Sequence, residues 1–335
     1  MDGGSGGRMR ALLAGLCLLA CAGAPALAEE TCPGNPDAIG TSRTITVDPA
    51  TLPLIGTIQY HATVPLNDHE VVLTFDDGPL PPYSERILDI LKENCVKVTY
   101  FLVGTMARNY PWVVRRIYND GHTIGTHSNN HPFGFANLSP ARLEGEVDGG
   151  IASVQAAVGD AQAVSPYFRI PGLSRSDKVE NYLESKSLAV WSADEVADDW
   201  FRGITPDQIV ARAMRRIEEK DHRGVLLLHD IHPATVMALP KLLKELKEGG
   251  YRIVQVVAPG ERPKSVPELA APAVAHEAWP RPVKASATTK VHHAARVLHH
   301  KKKLRLARKH REAEREQPPV VSHVSAERGL WPHEY

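Results

Sequence analysis

Net charge is the first thing this chain of 335 residues lacks: 39 Lys and Arg stand against 39 Asp and Glu. Nothing global therefore draws it to nucleic acid, and no nucleic-acid partner is expected. Cysteine is scarce, at 4, and no two of them have Cys-x-x-Cys spacing, so a thiolate-held metal finds no support. The strongest apolar run, Ala11 to Ala20, is shorter than the ~20 residues a spanning helix needs. Also missing are a nucleophilic Ser elbow, a phosphate-cradling Gly loop after a strand, and a Cys–His pair with supporting motifs. Covalent and nucleotide-dependent mechanisms lose their basis. What remains is ordinary for a globular enzyme, 43% hydrophobic and 23% charged. The length suits one large domain or two small ones.

The first 28 residues read as a secretory signal. Arg8 and Arg10 precede the apolar run, and Ala26-Leu27-Ala28 fits the small-x-small cleavage rule. Met9 is an alternative start to Met1. A rival processing site, Leu18-Leu19-Ala20-Cys21, resembles a bacterial lipoprotein box. Either route exports the protein, to the periplasm or beyond. Cleavage removes Cys17 and Cys21 and leaves Cys32 and Cys95, an even pair in an oxidising compartment. The pair suggests a disulfide clipping the N-terminal arm onto the first strand–helix unit; two unpaired thiols are the alternative.

Residues 29–67 read as an arm, rich in Pro, Gly and Thr, with one short strand near Thr57–His61. From 68 to 258 strands alternate with helices. Val71–Phe75, Lys97–Val103, Thr123–Thr126, Val164–Arg169, Ala189–Ala193, Gly224–His229 and Arg252–Val257 have strand character. Helices are expected over Ser84–Glu93, Met106–Asp120, Ser139–Val158, Asp177–Lys186, Thr205–Lys220 and Pro233–Glu248. Repeated strand-then-helix units mean a parallel sheet with right-handed crossovers. Their number suits a closed or nearly closed α/β barrel, and polar residues recur at the strand ends where such barrels place active sites. Residues 259–335 read as a disordered tail, Pro- and Ala-rich, then rich in Lys, Arg and His, with a basic helix near Ala294–Glu316. Electrostatic contact with anionic wall polymer or a membrane surface is one reading of that tail. A solvated tail without a specific partner is the other.

The chemistry concentrates at Thr74-Phe75-Asp76-Asp77-Gly78-Pro79, two adjacent carboxylates where a strand ends and a turn begins. His127-Ser128-Asn129-Asn130-His131-Pro132 then offers two imidazoles four positions apart, able to converge on one ion if the segment is helical or tightly turned. One carboxylate oxygen and two imidazole nitrogens make an open first shell for a divalent cation, leaving the second carboxylate free as a base. His122 reads as packed or surface, Asp230 as structural, and His232 stays undecided.

These two clusters, with Arg169-Ile170-Pro171, Asp199-Trp200 and Leu227-Leu228-His229-Asp230, resemble the five ordered motifs of the polysaccharide deacetylases. The family they resemble is the nodulation-type domain of carbohydrate esterase family four. The resemblance covers roughly 68–258. It implies a distorted (β/α)7-8 barrel with parallel strands and a hydrolase removing acetyl groups from glycans with one divalent metal ion, zinc or cobalt. Asp77, His127 and His131 would be the ligands, Asp76 the general base and His229 the general acid. Asp199 would keep His229 charged, Arg169 would orient Asp76, and the Gly172 N–H would serve the developing oxyanion. Trp200 and Leu227 would meet the substrate, a sugar face and the acetyl group respectively, or else are plain core residues. Two departures stand out. Gly172 replaces the aromatic residue many relatives carry after the Pro, and Asp194 and Asp198 compete with Asp199 for the partner role. The expected substrate is an N-acetylglucosamine-containing glycan, chitooligosaccharide or peptidoglycan. A deacylase of another N- or O-acyl substrate and a catalytically silent sugar-binding domain are the alternatives.

Overall fold

A computed structural model of the chain describes Met1, Gly3 and residues 32–260 and 265–272. In chain order the elements begin with β1 (Thr41–Thr46), β2 (Leu54–Ile55), β3 (Glu70–Asp76), α1 (Tyr83–Glu93) and β4 (Thr99–Leu102). Next come α2 (Gly104–Asn109), α3 (Pro111–Asn119), β5 (Thr123–Thr126), α4 (Pro140–Val158), β6 (Tyr167–Arg169) and α5 (Asp177–Ser185). The series ends with β7 (Ala189–Trp191), β8 (Glu195–Val196), α6 (Pro206–Glu219), β9 (Gly224–His229), α7 (Pro233–Glu248) and β10 (Arg252–Val257).

Every strand pairing is parallel, in the order β1-β10-β3-β4-β5-β6-β7-β2, with β9 paired to β3 and β8 to β9. The seam between β2 and β8 is closed by other bonds. Ile58 N–H donates to the Ala193 carbonyl at 3.0 Å. Thr57 donates its N–H and Oγ1–H to the Asp194 carboxylate at 2.7 and 2.8 Å. The result is a distorted (β/α) barrel, the fold class that the alternating pattern implies.

Period-two alternation sorts the core. Val72, Tyr167, Trp191 and Val225 join Phe101, Val254 and Val256 in the cluster inside the barrel. Their neighbours Phe168 and Val190 face outward, against Phe135, Leu143, Val147 and Leu183. Thr74 and Asp76 follow Val72 on the inward face, and Arg169 follows Tyr167. The same pleat that buries the core thus aims one acid and one base into the barrel mouth.

Three expectations need correction. The arm is part of the sheet: β1 pairs with β10, β2 with β7, and no strand forms at Thr57–His61, where Tyr60 N–H turns back to the Gly56 carbonyl at 3.0 Å. The helix expected over Met106–Asp120 is two helices, because Pro111 cannot donate to the turn before it and instead starts α3. The ordered structure does not end at 258: Val266 N–H donates to Asn119 at 2.9 Å, Asn119 returns a bond to the Val266 carbonyl at 3.0 Å, and Arg115 donates to the Pro267 carbonyl at 2.7 Å. A disulfide joins Cys32 to Cys95 and ties the arm to the end of α1. The signal segment with Cys21 and the cleavage after Ala28 lie outside the described residues, as do the tail from 273 and the basic helix expected in it. Among the described residues no helix is long and apolar enough to cross a membrane.

Candidate metal centre

Strand β3 delivers both carboxylates, and its end sends them different ways. Asp76, the last strand residue, is buried with its side chain inward. Asp77 takes a left-handed backbone, φ 77°, which L-residues adopt only where the surroundings hold them. That turn directs the second carboxylate towards His127 and His131. Glycine is required next, since a Cβ at Gly78 would lie 2.1 Å from the Asp230 carboxylate.

Asp76 Oδ1 accepts from Arg169 Nη1 at 2.6 Å. The wholly buried guanidinium also donates to Thr74 Oγ1 and to the Ser192 carbonyl, each at 2.8 Å, and sits 4.2 Å over the Phe101 ring. Three acceptors and a ring fix this side chain, so one oxygen of Asp76 is held while Oδ2 faces His127 Nε2 at 3.9 Å.

His127 follows β5, and its Nδ1–H donates to the Arg169 carbonyl at 2.7 Å. A carbonyl can only accept, so the proton is on Nδ1 and the Nε2 lone pair is left for a cation. The chain then turns tightly, with φ 65° at Ser128 and 52° at His131, and Ser128 Oγ accepts the His131 N–H at 3.0 Å. This turn brings the second imidazole beside the first, their centroids 4.9 Å apart. Burial pushes the His131 ring below its ordinary pKa, which keeps its lone pair available.

Asp77 Oδ1 lies 3.4 Å from Nε2 of both His127 and His131, and one donor atom from each of the three residues falls within 4.8 Å of the others. Burial pushes the Asp77 carboxyl up, but the His127 contact and the His229 charge outweigh it and hold it well below the usual range. The oxygen between the two imidazoles is buried and accepts no hydrogen bond. An orphaned carboxylate oxygen flanked by two imidazole nitrogens fits a divalent cation, and one carboxylate with two imidazoles is a donor set that such ions take. These residues form the one such group among the described residues.

On the Asp77 side, His229 Nε2 stands 4.0 Å from Asp77 Oδ2. Its Nδ1–H donates to Asp199 Oδ1 and its backbone N–H to Asp199 Oδ2, both at 2.7 Å. Burial disfavours the charged ring, yet the Asp199 charge and hydrogen bond, helped by Asp77 and Asp76, raise its pKa to about 10. Trp200 packs edge-on to the His229 ring at 5.3 Å. His232 also meets that ring edge-on, at 5.7 Å, and burial, then the His229 charge, keep it below its ordinary value.

The competition among the aspartates is resolved by their partners. Asp198 is held by Arg216 at 2.8 Å and Arg212 at 3.1 Å on α6, while Asp194 closes the barrel seam. Only Asp199 reaches His229. Gly172 lies in the turn Pro171–Leu173 with φ 58°, and Leu227 is buried on β9 beside Val196. His122 is buried and accepts the Val98 N–H at 3.2 Å, a packed residue. Asp230 is buried with no hydrogen-bond partner for its carboxylate, and desolvation together with the Asp77 charge raises it to about 7.

One residue has no place in the sequence motifs. Glu146 on α4 accepts from the backbone N–H of Asn129 at 3.1 Å and of Asn130 at 2.8 Å, inside the loop joining the two imidazoles. A signal was present: Leu143, Glu146, Val147 and Gly150 share one helical face, which puts a carboxylate among residues bound for the interior.

The polysaccharide deacetylase family matches residues 63–191. A peptidoglycan-N-acetylglucosamine deacetylase of Bacillus cereus is 32% identical over 199 residues, 58% of this chain and 89% of the relative. A chitooligosaccharide deacetylase of Bradyrhizobium is 32% identical over 200 residues, covering 55% of this chain and 87% of its own. Among solved structures, a peptidoglycan deacetylase of Bdellovibrio bacteriovorus superposes with TM-score 0.57 at 32% identity, over 64% of this chain and 58% of that one. A CE4 family pseudoenzyme from Bacillus anthracis gives TM-score 0.51 at 28% identity, over 56% and 64%. With the barrel, the two clusters after β3 and β5, and a relative matched over nearly its whole length, the chain belongs to the polysaccharide deacetylase family.

Proposed function

We propose that this chain is an exported, metal-dependent hydrolase that removes N-acetyl groups from N-acetylglucosamine units of peptidoglycan or chitooligosaccharide. The observation that carries the reading is one constellation: donor atoms of Asp77, His127 and His131 within 4.8 Å, Asp76 beside His127, and His229 beside Asp77. The names of the relatives support the glycan class. Two imidazoles and one carboxylate suit a borderline ion, and zinc or cobalt is the assignment. The chemistry such an ion supplies when bound is Lewis-acid polarisation of an acyl oxygen and acidification of water towards a pKa of ~7.

The rest belongs to the side chains. Asp76, with Oδ1 engaged by Arg169, takes the proton of the attacking water at Oδ2. The water oxygen bonds to the acetyl carbon first, moving the carbonyl electron pair onto the acyl oxygen, and the carbon–nitrogen bond breaks as that pair returns. His229, its Nδ1–H committed to Asp199, gives its Nε2 proton to the leaving nitrogen, and amine and acetate depart. Gly172 N–H serves the acyl oxygen as it gains charge. Trp200, edge-on to the His229 ring, would stack on a sugar face, and Leu227 would line the acetyl pocket.

Export is supported by the signal-like first 28 residues and by the Cys32–Cys95 disulfide, which persists in oxidising compartments. The basic tail would then meet anionic wall polymer. The similarity to a CE4 pseudoenzyme favours one second reading, a sugar-binding domain without turnover. The test is mass-spectrometric acetyl loss from defined chitooligosaccharides and peptidoglycan fragments, after metal stripping and resupply. Metal-restored loss that disappears in Asp76→Asn with metal still bound upholds the proposal. Stoichiometric metal binding without acetyl loss from either substrate overturns it and leaves the binding domain or another acyl substrate.

A further inference from the structure

The segment joining the two imidazoles has an unusual backbone. Ser128 and His131 both adopt left-handed conformations, φ 65° and 52°, which side-chain-bearing residues hold only when surrounding structure imposes them. Most of what imposes them comes from the helices outside the barrel. At the start of α2, Gly104 N–H donates to the Ser128 carbonyl at 2.9 Å, and Thr105 N–H and Oγ1–H donate to the Asn129 carbonyl, each at 2.8 Å. The loop's own N–H groups point the other way, to α4. There Glu146 Oε2 accepts from Asn129 N–H at 3.1 Å and Asn130 N–H at 2.8 Å, while Oε1 accepts from Asn130 Nδ2 at 2.9 Å.

We propose that Glu146 is a positioning residue for the metal centre: its carboxylate clamps the 128–130 turn and so sets His131 against His127 and Asp77. The inference rests on the metal-dependent reading above. Three features set this carboxylate apart from an ordinary helical Glu. It is 7% exposed, and the partners of its carboxylate are the three loop donors with no Lys or Arg among them, so the loop is what makes its burial tolerable. Three donors converge on it, and an amide would offer one oxygen while presenting N–H to N–H. Its helix also approaches the loop as closely as chemistry permits. One turn on, a Cβ at Gly150 would lie 2.6 Å from the Ser128 carbonyl carbon, so only glycine allows the contact. The neighbouring Asn129 side chain is fixed in turn by Arg108 Nη1 at 2.7 Å and Ser153 Oγ at 3.3 Å. The loop therefore has little freedom while Glu146 is present, and His131 loses its reference when Glu146 is removed.

Groups that orient metal ligands change metal affinity by about 10–100-fold when removed. The test uses the full-length protein, titrated with Zn2+ against a competing chelator and with Co2+ by its visible spectrum. His131→Ala runs in parallel, so that the component lost in it defines binding at this centre and separates it from binding by tail histidines. Glu146→Ala is expected to weaken that component about 10–100-fold and to alter the Co2+ spectrum. Glu146→Gln, which keeps size and one acceptor, is expected to lie between Glu146→Ala and wild type and supplies the comparison should Glu146→Ala fail to fold. Wild-type affinity and spectrum in either folded variant overturn the proposal, even where the metal-free protein melts lower, because that is a structural role alone. If wild type shows no component that depends on His131, the metal reading itself fails and this inference goes with it. The two failures are thus told apart.

Discussion

Asp199 grips His229 at two points, accepting from the ring Nδ1–H and from the backbone N–H of the same residue, each at 2.7 Å. A third bond, from Thr235 Oγ1 at 2.7 Å, fixes the carboxylate from α7. The ring can neither rotate nor change tautomer without breaking this set, so Nε2 is the atom left to deliver a proton. Asp199→Asn replaces an acceptor oxygen with a donor and cannot satisfy all three bonds. The expected outcome is a fall in kcat of about 10²–10⁴-fold with metal affinity unchanged. Acetyl-release kinetics beside a chelator competition check it; near-wild-type kcat would remove His229 from the acid role.

Arg169 and Asp76 pose a different risk, because both are buried and the pair is the centre of a larger network. Arg169→Met leaves the Asp76 carboxylate without its counter-ion, and breaking such a pair costs about 3–5 kcal/mol. Arg169→Lys keeps the charge, but one ammonium cannot span Thr74, Asp76 and the Ser192 carbonyl together. Both variants are expected to unfold at lower urea, with Lys intermediate, and both to lose kcat. Unchanged urea midpoints would show that Arg169 orients the base without holding the barrel mouth together.

Much of this was legible in the sequence because the relevant signals are local. The apolar run Val71-Val72-Leu73 marks a buried strand leading into two adjacent carboxylates, and the Gly-Pro step after Asp77 marks the turn that follows. The partner of His229 was harder, since Asp194, Asp198 and Asp199 are close in sequence and differ only in which distant groups they meet: Thr57, Arg216 and His229. The arm is hard to read for a related reason. Strands of two to six residues, Leu54–Ile55 and Thr41–Thr46, carry little periodicity, and what makes them strands is pairing with β7 and β10 far along the chain. Glu146 escaped because a carboxylate on an otherwise buried face is informative only once its partner loop is known.

Glu195 offers a test of burial without partners. It is 2% exposed on β8, both carboxylate oxygens lack hydrogen bonds, and desolvation, then the Asp194 charge, raise its pKa to about 9. Between an unfolded value near 4.5 and this one, the native state holds a proton that the unfolded chain has lost, so stability falls as pH rises through that window. Glu195→Gln removes the ionisation. It is expected to be stabilising by roughly 2–4 kcal/mol near pH 8 and to match wild type near pH 4. Thermal melts at both pH values check this, and an equal difference at each would mean that the carboxyl is not neutral in the folded protein.

Glu70 works in the opposite direction at the foot of the barrel. Its buried carboxylate accepts from Arg43 Nε at 2.8 Å and Nη2 at 2.6 Å, and from Asn67 N–H at 2.7 Å, joining β1 to β3. The Arg43 hydrogen bonds, with Asn67 and the Arg43 charge, outweigh burial and lower its pKa from 4.5 to about 2. A depressed acid stabilises the native state above its unfolded pKa and loses that contribution as pH falls towards the folded one. Arg43 is partly exposed, so solvent and salt weaken the pair, and the contribution at pH 7 is about 1–3 kcal/mol. Glu70→Gln is therefore expected to lower the urea midpoint at pH 7 and to approach wild type near pH 2. Arg43→Met should do the same and lose its salt dependence. A deficit in Glu70→Gln that persists undiminished at pH 2 would assign the effect to packing of β1 on the sheet instead of to the charge.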